Sequence, residues 1–237
     1  MPKESSSLPS LNAALLLADG KIFWGKGIGK PGTILGEICF NTAMTGYQEI
    51  LTDPSYNGQV VTFTFPHIGN VGTNSEDIES KETPHLGASG LVIREPITTP
   101  SNFRATKHLN DWLIAHGITG ISGVDTRALT RAIRKNGAAN VAIVVSDQLS
   151  VTSEQLEEAK EKLAKAPNMK GLELAAKVST KEAYEWTEPK WSLGMGGTLP
   201  PICAPRSLPR GVVTKCSSAY PRIFIATRHS SLSHRSS

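Results

Sequence analysis

Cysteine is scarce: the 237 residues hold only Cys39, Cys203 and Cys216. Three cysteines cannot all pair, and their scatter has neither CxxC nor zinc-ligand spacing. A disulfide framework and a cysteine-based metal site are both excluded. No apolar run approaches the ~20 residues that cross a bilayer, so no membrane partner is expected. The opening MPKESSSLPSLN has no long apolar stretch and no small-residue cleavage site, which argues against a secretory leader and for the cytoplasm. Acid is missing from residues 194–237, which carry six basic residues: Arg206, Arg210, Lys215, Arg222, Arg228 and Arg235. The chain has 25 basic residues, so 19 remain in the rest against all 21 acidic ones, a net −2. The overall charge of +4 therefore belongs to the tail. It gives no ground for a nucleic-acid partner of the body.

What the sequence does have is a dense run of backbone punctuation from Phe40 to Asn74. Gly46, Asp53-Pro54, Asn57-Gly58, Pro66, Gly69 and Gly72 each mark a turn or a close approach. Between them lie a short helix, Tyr47 to Leu51, and a strand, Gln59 to Phe65. In that strand Val61, Phe63 and Phe65 share one face and Thr62 and Thr64 the other, which predicts a single buried side.

Upstream, Asp19-Gly20 between Ala13–Ala18 and Lys21–Gly25 predicts a hairpin with a type I′ turn. GKGIGKPG (25–32) lacks the Gly-Lys-Ser/Thr ending of a phosphate loop and reads as a glycine-rich strand exit. Ile34 to Asn41 reads as a strand with Ile38 and Phe40 in phase. Cys39 falls on its other face, as a small packing residue rather than a nucleophile.

Downstream, Gly90–Arg94, Ile118–Val124 and Asn140–Ser146 are predicted strands. His108 to His116 is an amphipathic helix ending at Gly117, with His116 as a helix-end residue. Asp125 caps a helix that buries Leu129 and Ile133 and projects Arg127, Arg131 and Arg134. Thr152-x-x-Gln155 is a capping box opening a solvated helix to about Lys165. Short strands mixed with helices define an α/β or α+β layered domain.

TGYQEILTDPSY followed by PHIGNVGTN resembles the N-terminal domain of the small subunit of glutamine-dependent carbamoyl-phosphate synthase. The likeness continues in GLVIRE (90–95), SNFR (101–104), DTRALTRAIRKNGA (125–138) and EAYEWT (182–187), and it stops after about Leu193. It implies a swivelling β/β/α domain over 11–193, a flexible N-terminus at 1–10, and an unrelated Ser/Pro/Arg-rich tail at 194–237. With little patterned apolar surface to offset ordering entropy, the tail is expected to be disordered.

The family pairs this domain with a class I glutamine amidotransferase domain, where a cysteine, a histidine and a glutamate hydrolyse glutamine. Ammonia then passes to a large subunit that uses ATP and bicarbonate to make carbamoyl phosphate for arginine and pyrimidine synthesis. Such chemistry needs a thiolate beside an imidazole and an oxyanion hole. No G-x-C-x-G elbow surrounds any of the three cysteines, and no His-Pro-Glu occurs. The resemblance is thus to a truncated small subunit, by a reading-frame change or gene-model error, with a divergent tail as the lesser reading. It implies no catalytic residue, no metal and no cofactor in this chain, since ATP and metal ions belong to the large subunit. Alone, the chain is expected to lack glutaminase activity.

The implied partner is the large subunit, and glutamine only if an amidotransferase domain is supplied. A non-catalytic docking module is the alternative. Ser55, in TDPSY, matches the family serine that contributes to the glutamine pocket from across the domain boundary. On its residues alone, Ser55 equally well closes its own turn.

Overall fold

The computed structural model describes residues 11–80, 87–167, 169 and 171–179. The N-terminal segment 1–10, the tail 194–237 and the domain boundary expected near Leu193 lie outside the described residues. So does the short piece expected at Lys181–Trp186. The chain divides into two units, Met1–Leu172 and Glu173–Ser237. In the second, α5 (Ala175–Val178) is a single turn whose Ala176 amide donates to the Glu173 carboxylate at 3.1 Å.

In the first unit seven strands close on themselves: β1 (Ala13–Leu17), β2 (Ile22–Gly29), β3 (Gly32–Asn41), β4 (Gln59–Phe63), β5 (Gly90–Val92), β6 (Thr119–Ser122) and β7 (Asn140–Val145). Around the barrel the order is β1-β2-β6-β5-β4-β3-β7. Its wall has two characters. β3, β4, β5 and β6 are mutually parallel. β2, β1 and β7 are antiparallel to their neighbours and join that run at both ends. The mixed α/β character expected from the sequence is present.

Alternation along the strands sorts apolar side chains into three layers. Ala13, Leu15 and Leu17 of β1 point inward with Val60, Val92, Ile121, Val141, Ile143 and Val145. Helix α3 (Thr126–Asn136) adds Leu129 and Ile133 to this interior. Val61, Phe63 and Leu91 face outward, under α1 (Tyr47–Thr52) and α2 (Leu109–Ala115), against Tyr47, Leu51, Leu109, Trp112 and Leu113. Ala14, Leu16, Ala142 and Val144 face outward under α4 (Ser153–Lys165), against Ala159 and Leu163. β1 is thus buried on both faces. Full burial of one such leucine is worth about 1.5–3 kcal/mol.

The predicted caps form as the residues dictate. The Asp125 carboxylate accepts from the Arg127 and Ala128 amides at 3.1 and 3.0 Å. Thr152 and Gln155 make the reciprocal capping box of α4. His116 stacks on Trp112 and its Nδ1 lies 2.8 Å from the Trp112 carbonyl, so it is a helix-end residue.

Four details differ from the sequence-based expectation. Only Gly20 has positive φ in the first hairpin, +86°. Its turn therefore spans four residues and is not type I′: the Gly20 amide donates to Leu17 O, and Asp19 Oδ1 accepts from the Lys21 amide. β4 ends at Phe63 and is buried on both faces, Thr62 included, because both a filled interior and an outer helix layer cover it. Phe40 does not join the core with Ile38; it is 36% exposed, while Cys39 packs against the outer layer. The glycines of GKGIG lie within β2 rather than at its exit. A Cβ at Gly25 would strike the Ser122 carbonyl oxygen and lie 2.8 Å from Ile121 Cγ1; at Gly27 it would strike Val145.

These contacts separate two kinds of glycine. Gly25→Ala is expected to cost about 2–3 kcal/mol through overpacking. Gly20→Ala, with open space around it, should cost only the left-handed strain of about 1–2 kcal/mol. Urea unfolding of both variants checks the order, and a larger loss at Gly20 would contradict it.

Candidate functional site

Three loops that carry the densest motifs converge beside the N-terminus of α1. The first is TGYQE, where Gly46 precedes the helix with φ +80°. The second is the GNVGTN loop after β4, and the third is SNFR before α2. Tyr47, 1% exposed, donates its hydroxyl to Gly72 O at 2.6 Å; burial raises its phenol pKa. Gly72 itself admits no side chain there, because a Cβ would lie 2.5 Å from that of Ala105.

One residue further into the helix, Gln48 binds Asn74 reciprocally. Its Nε2 donates to Asn74 O at 2.6 Å, and its Oε1 accepts from the Asn74 amide at 3.0 Å. The Asn74 side chain in turn orders the next few residues of its loop. Its Oδ1 accepts from the Glu76 and Asp77 amides at 2.8 and 2.9 Å, and its Nδ2 donates to Asp77 Oδ2 at 2.8 Å. Arg104, whose amide is held by Asn102 Oδ1, donates to Asp77 Oδ1 at 2.7 Å and to Glu76 Oε2 at 3.2 Å. Gln48, Asn74, Asp77 and Arg104 thus form one chain of contacts across the three loops.

They line a cleft of about 210 Å³ with Gly46 and Glu49. Glu49 is half-buried there. Burial, the largest cause, raises its carboxyl pKa; repulsion from Asp77 and Glu79 adds to this, and Arg104 partly offsets it. The cleft is polar and carries both charge signs. Among the described residues it sets no nucleophile beside a base, so these side chains can position a polar group but are not a set for acyl transfer.

The sequence-predicted site residue lies elsewhere, in the turn after α1. Pro54–Tyr56 forms a single 3-10 turn. Asp53 Oδ1 accepts from the Ser55 amide at 2.8 Å, and Tyr56 OH accepts from Asn41 Nδ2 at 3.0 Å, fastening the turn to the end of β3. The aspartate closes the turn. Ser55 is exposed, and its hydroxyl makes no hydrogen bond among the described residues.

Cys39 is half-buried, and burial together with the Glu37 charge pushes its thiol up to about 11, far from a thiolate at neutral pH. No hydrogen bond joins it to a histidine among the described residues; Cys203, Cys216, His229 and His234 lie outside them. Among the described residues no cluster of His, Cys, Asp or Glu could hold a metal ion, and no helix is long and apolar enough to cross a membrane.

Sequence reasoning missed Gln48, Asn74 and Arg104 as a set. All three sit inside motifs that stood out, yet nothing local signals a pairing of residues 26 positions apart.

The fold and these loops define a strand-barrel α/β module built around a small set of glycine-rich motifs. The model of the carbamoyl-phosphate synthase small chain, CPSase domain, matches residues 15–143, just over half of the chain. The chain belongs to that family. Its relatives include the carbamoyl phosphate synthase small chains of Rhizobium meliloti (strain 1021), 53% identical over 76% of this chain and 44% of the relative, and of Bradyrhizobium diazoefficiens, 52% identical over 76% and 45%. That of Vibrio cholerae serotype O1 is 50% identical over 86% of this chain and 51% of the relative. The chain spans about half the length of these curated relatives. Among solved structures, a peptidase M28 precursor from Shewanella amazonensis SB2B is 9% identical with a TM-score of 0.32, covering 56% of this chain and 34% of that one; it bears on neither fold nor function.

The raised Glu49 pKa fixes the sign of a pH effect. The folded chain keeps this proton to higher pH than the unfolded chain does, so stability from this group falls as pH rises through that interval. Its charge is a cost at neutral pH that disappears in acid. Glu49→Gln should therefore be more stable than the parent at pH 7, with the gain fading below roughly pH 4.3, where glutamate is protonated in both states. Urea midpoints at pH 7 and pH 4 test this; a less stable variant at pH 7 would mean that Arg104 outweighs burial.

Proposed function

We propose that this chain provides the N-terminal domain of a carbamoyl-phosphate synthase small chain. In that role it serves the glutamine-dependent synthesis of carbamoyl phosphate from bicarbonate and ATP. The observation that carries the reading is the family match over 15–143, which spans the barrel from β1 into β7 and includes the three-loop network. Its partner is the large chain, which binds ATP and its metal ions; this domain supplies structure and docking rather than a catalytic group. The reaction feeds arginine and pyrimidine synthesis in the cytoplasm.

We also assign the barrel to the family's swivelling β/β/α architecture. Its parallel and antiparallel halves are the two strand layers, and the helices over the parallel half are the third. The split of the apolar side chains into an interior and separate outer layers supports this.

Ser55 belongs, in this reading, to the glutamine pocket completed by an amidotransferase domain. The support is physical. Asp53 already closes the turn, so the Ser55 hydroxyl is left exposed on a short, fastened 3-10 segment, where it can contact a polar substrate.

Two measurements test the reading. The purified chain should bind a purified bacterial carbamoyl-phosphate synthase large chain in calorimetry, and absence of binding would overturn it. Ser55→Phe should leave the unfolding midpoint of this chain unchanged, since an exposed side chain carries little burial. The same change in a full-length small chain should weaken glutamine-driven synthesis at least tenfold, about 1.4 kcal/mol, while sparing ammonia-driven synthesis. Equal loss with both nitrogen sources would make Ser55 structural.

A further inference from the structure

Helix α3 is electrostatically one-sided. Its sequence, TRALTRAIRKN, has four cations and no acid. Leu129 and Ile133 face the barrel interior, while Arg127, Arg131, Arg134 and Lys135 are all exposed. Arg127, Arg131 and Arg134 follow i, i+4, i+7 and so form a stripe about 10 Å long on the outer side. No ion pair reaches any of the four cations among the described residues.

The other long helix is built differently. In α4, Lys160 pairs with Glu157 at 2.7 Å, Lys162 with Glu158 at 2.7 Å and Lys165 with Glu161 at 3.7 Å. A helix that needs only solvation can neutralise itself in this way. α3 instead sets like charges at i,i+4, with Arg127 in its first turn, where the helix dipole disfavours a cation. It does so in a body whose net charge is negative. The Asp125 cap and the last-turn position of Arg134 and Lys135 offset part of this repulsion. No ion pair among the described residues does so, and a partner is a natural source of further opposite charge.

We propose that the Arg127–Arg131–Arg134 stripe of α3 is a docking surface for an acidic protein face, carried by the large chain. This rests on the functional reading above. A protein face fits better than a small anion because the three guanidinium groups are spread along a convex helix, and neither the three-loop cleft nor the smaller one between Leu16, Ile22 and Leu163 lies on it. Arginine forks on such a surface set orientation and speed of encounter through charge complementarity.

The test is calorimetric titration of the full chain into a purified bacterial carbamoyl-phosphate synthase large chain at several salt concentrations. Parent binding should weaken with salt, as exposed charges do when the screening length shortens. R127E/R131E/R134E should weaken binding at least tenfold, and R127Q/R131Q/R134Q should weaken it less and flatten the salt dependence. The glutamine variant should unfold at the same temperature as the parent or higher, because it removes repulsion within the helix. Loss of binding with unchanged stability separates docking from folding, and that variant decides if the glutamate variant does not fold. K160Q/K162Q, which alters lysines already paired, should bind like the parent.

Parent-like binding by both arginine variants overturns this inference alone. Failure of the parent to bind overturns it together with the functional reading. Retention of a single-stranded oligonucleotide by the parent, lost in the glutamine variant while large-chain binding persists, would reassign the stripe to nucleic acid.

Discussion

Closure of the barrel depends on β1 and β7 pairing, with Ala13 opposite Val145 and Leu17 opposite Val141. That contact joins the first and last strands of the sheet and gives every strand two neighbours. It also makes the wall bury apolar groups on both sides, since one set of alternating residues fills the interior while the other must be covered by helices. The three apolar layers, the placement of α1, α2 and α4, and the glycines of β2 all result from this constraint. Where β2 passes β6 and β7, the walls are too close for any side chain at Gly25 or Gly27. A closed sheet also leaves no strand edge open to pair with another chain. Contacts with a partner then fall to loops and helix faces.

The polar groups are distributed accordingly. The polar loops lie beyond the barrel strands, where backbone donors and acceptors left over by the sheet are gathered by a few side chains. Asn74 is the clearest case: one amide side chain orders Glu76 and Asp77, while its own backbone is held by Gln48. Arg104 then ties a third loop to the same point. The Ser55 turn is a separate unit with its own cap. Between them, α1 is only six residues long and joins the three-loop network and the Ser55 turn to the outer apolar layer through Tyr47 and Leu51.

The charge distribution divides along the same lines. α4 satisfies its lysines internally, and the three-loop cleft pairs Arg104 with two acids. α3 leaves its arginines to solvent. Beneath them Leu129 and Ile133 hold the helix to the barrel interior.

Much of this was legible in the residues. Asp125 and the Thr152/Gln155 box had to start helices, Leu109, Trp112 and Leu113 had to share a face, and Asn140–Ser146 had to be a buried strand. Each of these rests on hydrogen bonds or periodicity within a few positions, which a sequence records directly. The long motifs, taken together, marked the family. The residues alone did not determine that Thr62 is as buried as Val61, that Phe40 stays at the surface, or that the Asp19-Gly20 turn needs positive φ only at Gly20. Nor did they pair Gln48 with Asn74. The turn is a local choice between hydrogen-bond patterns; the other outcomes depend on which distant strand or loop lies alongside, and only the closure of the barrel brings such segments within reach of one another.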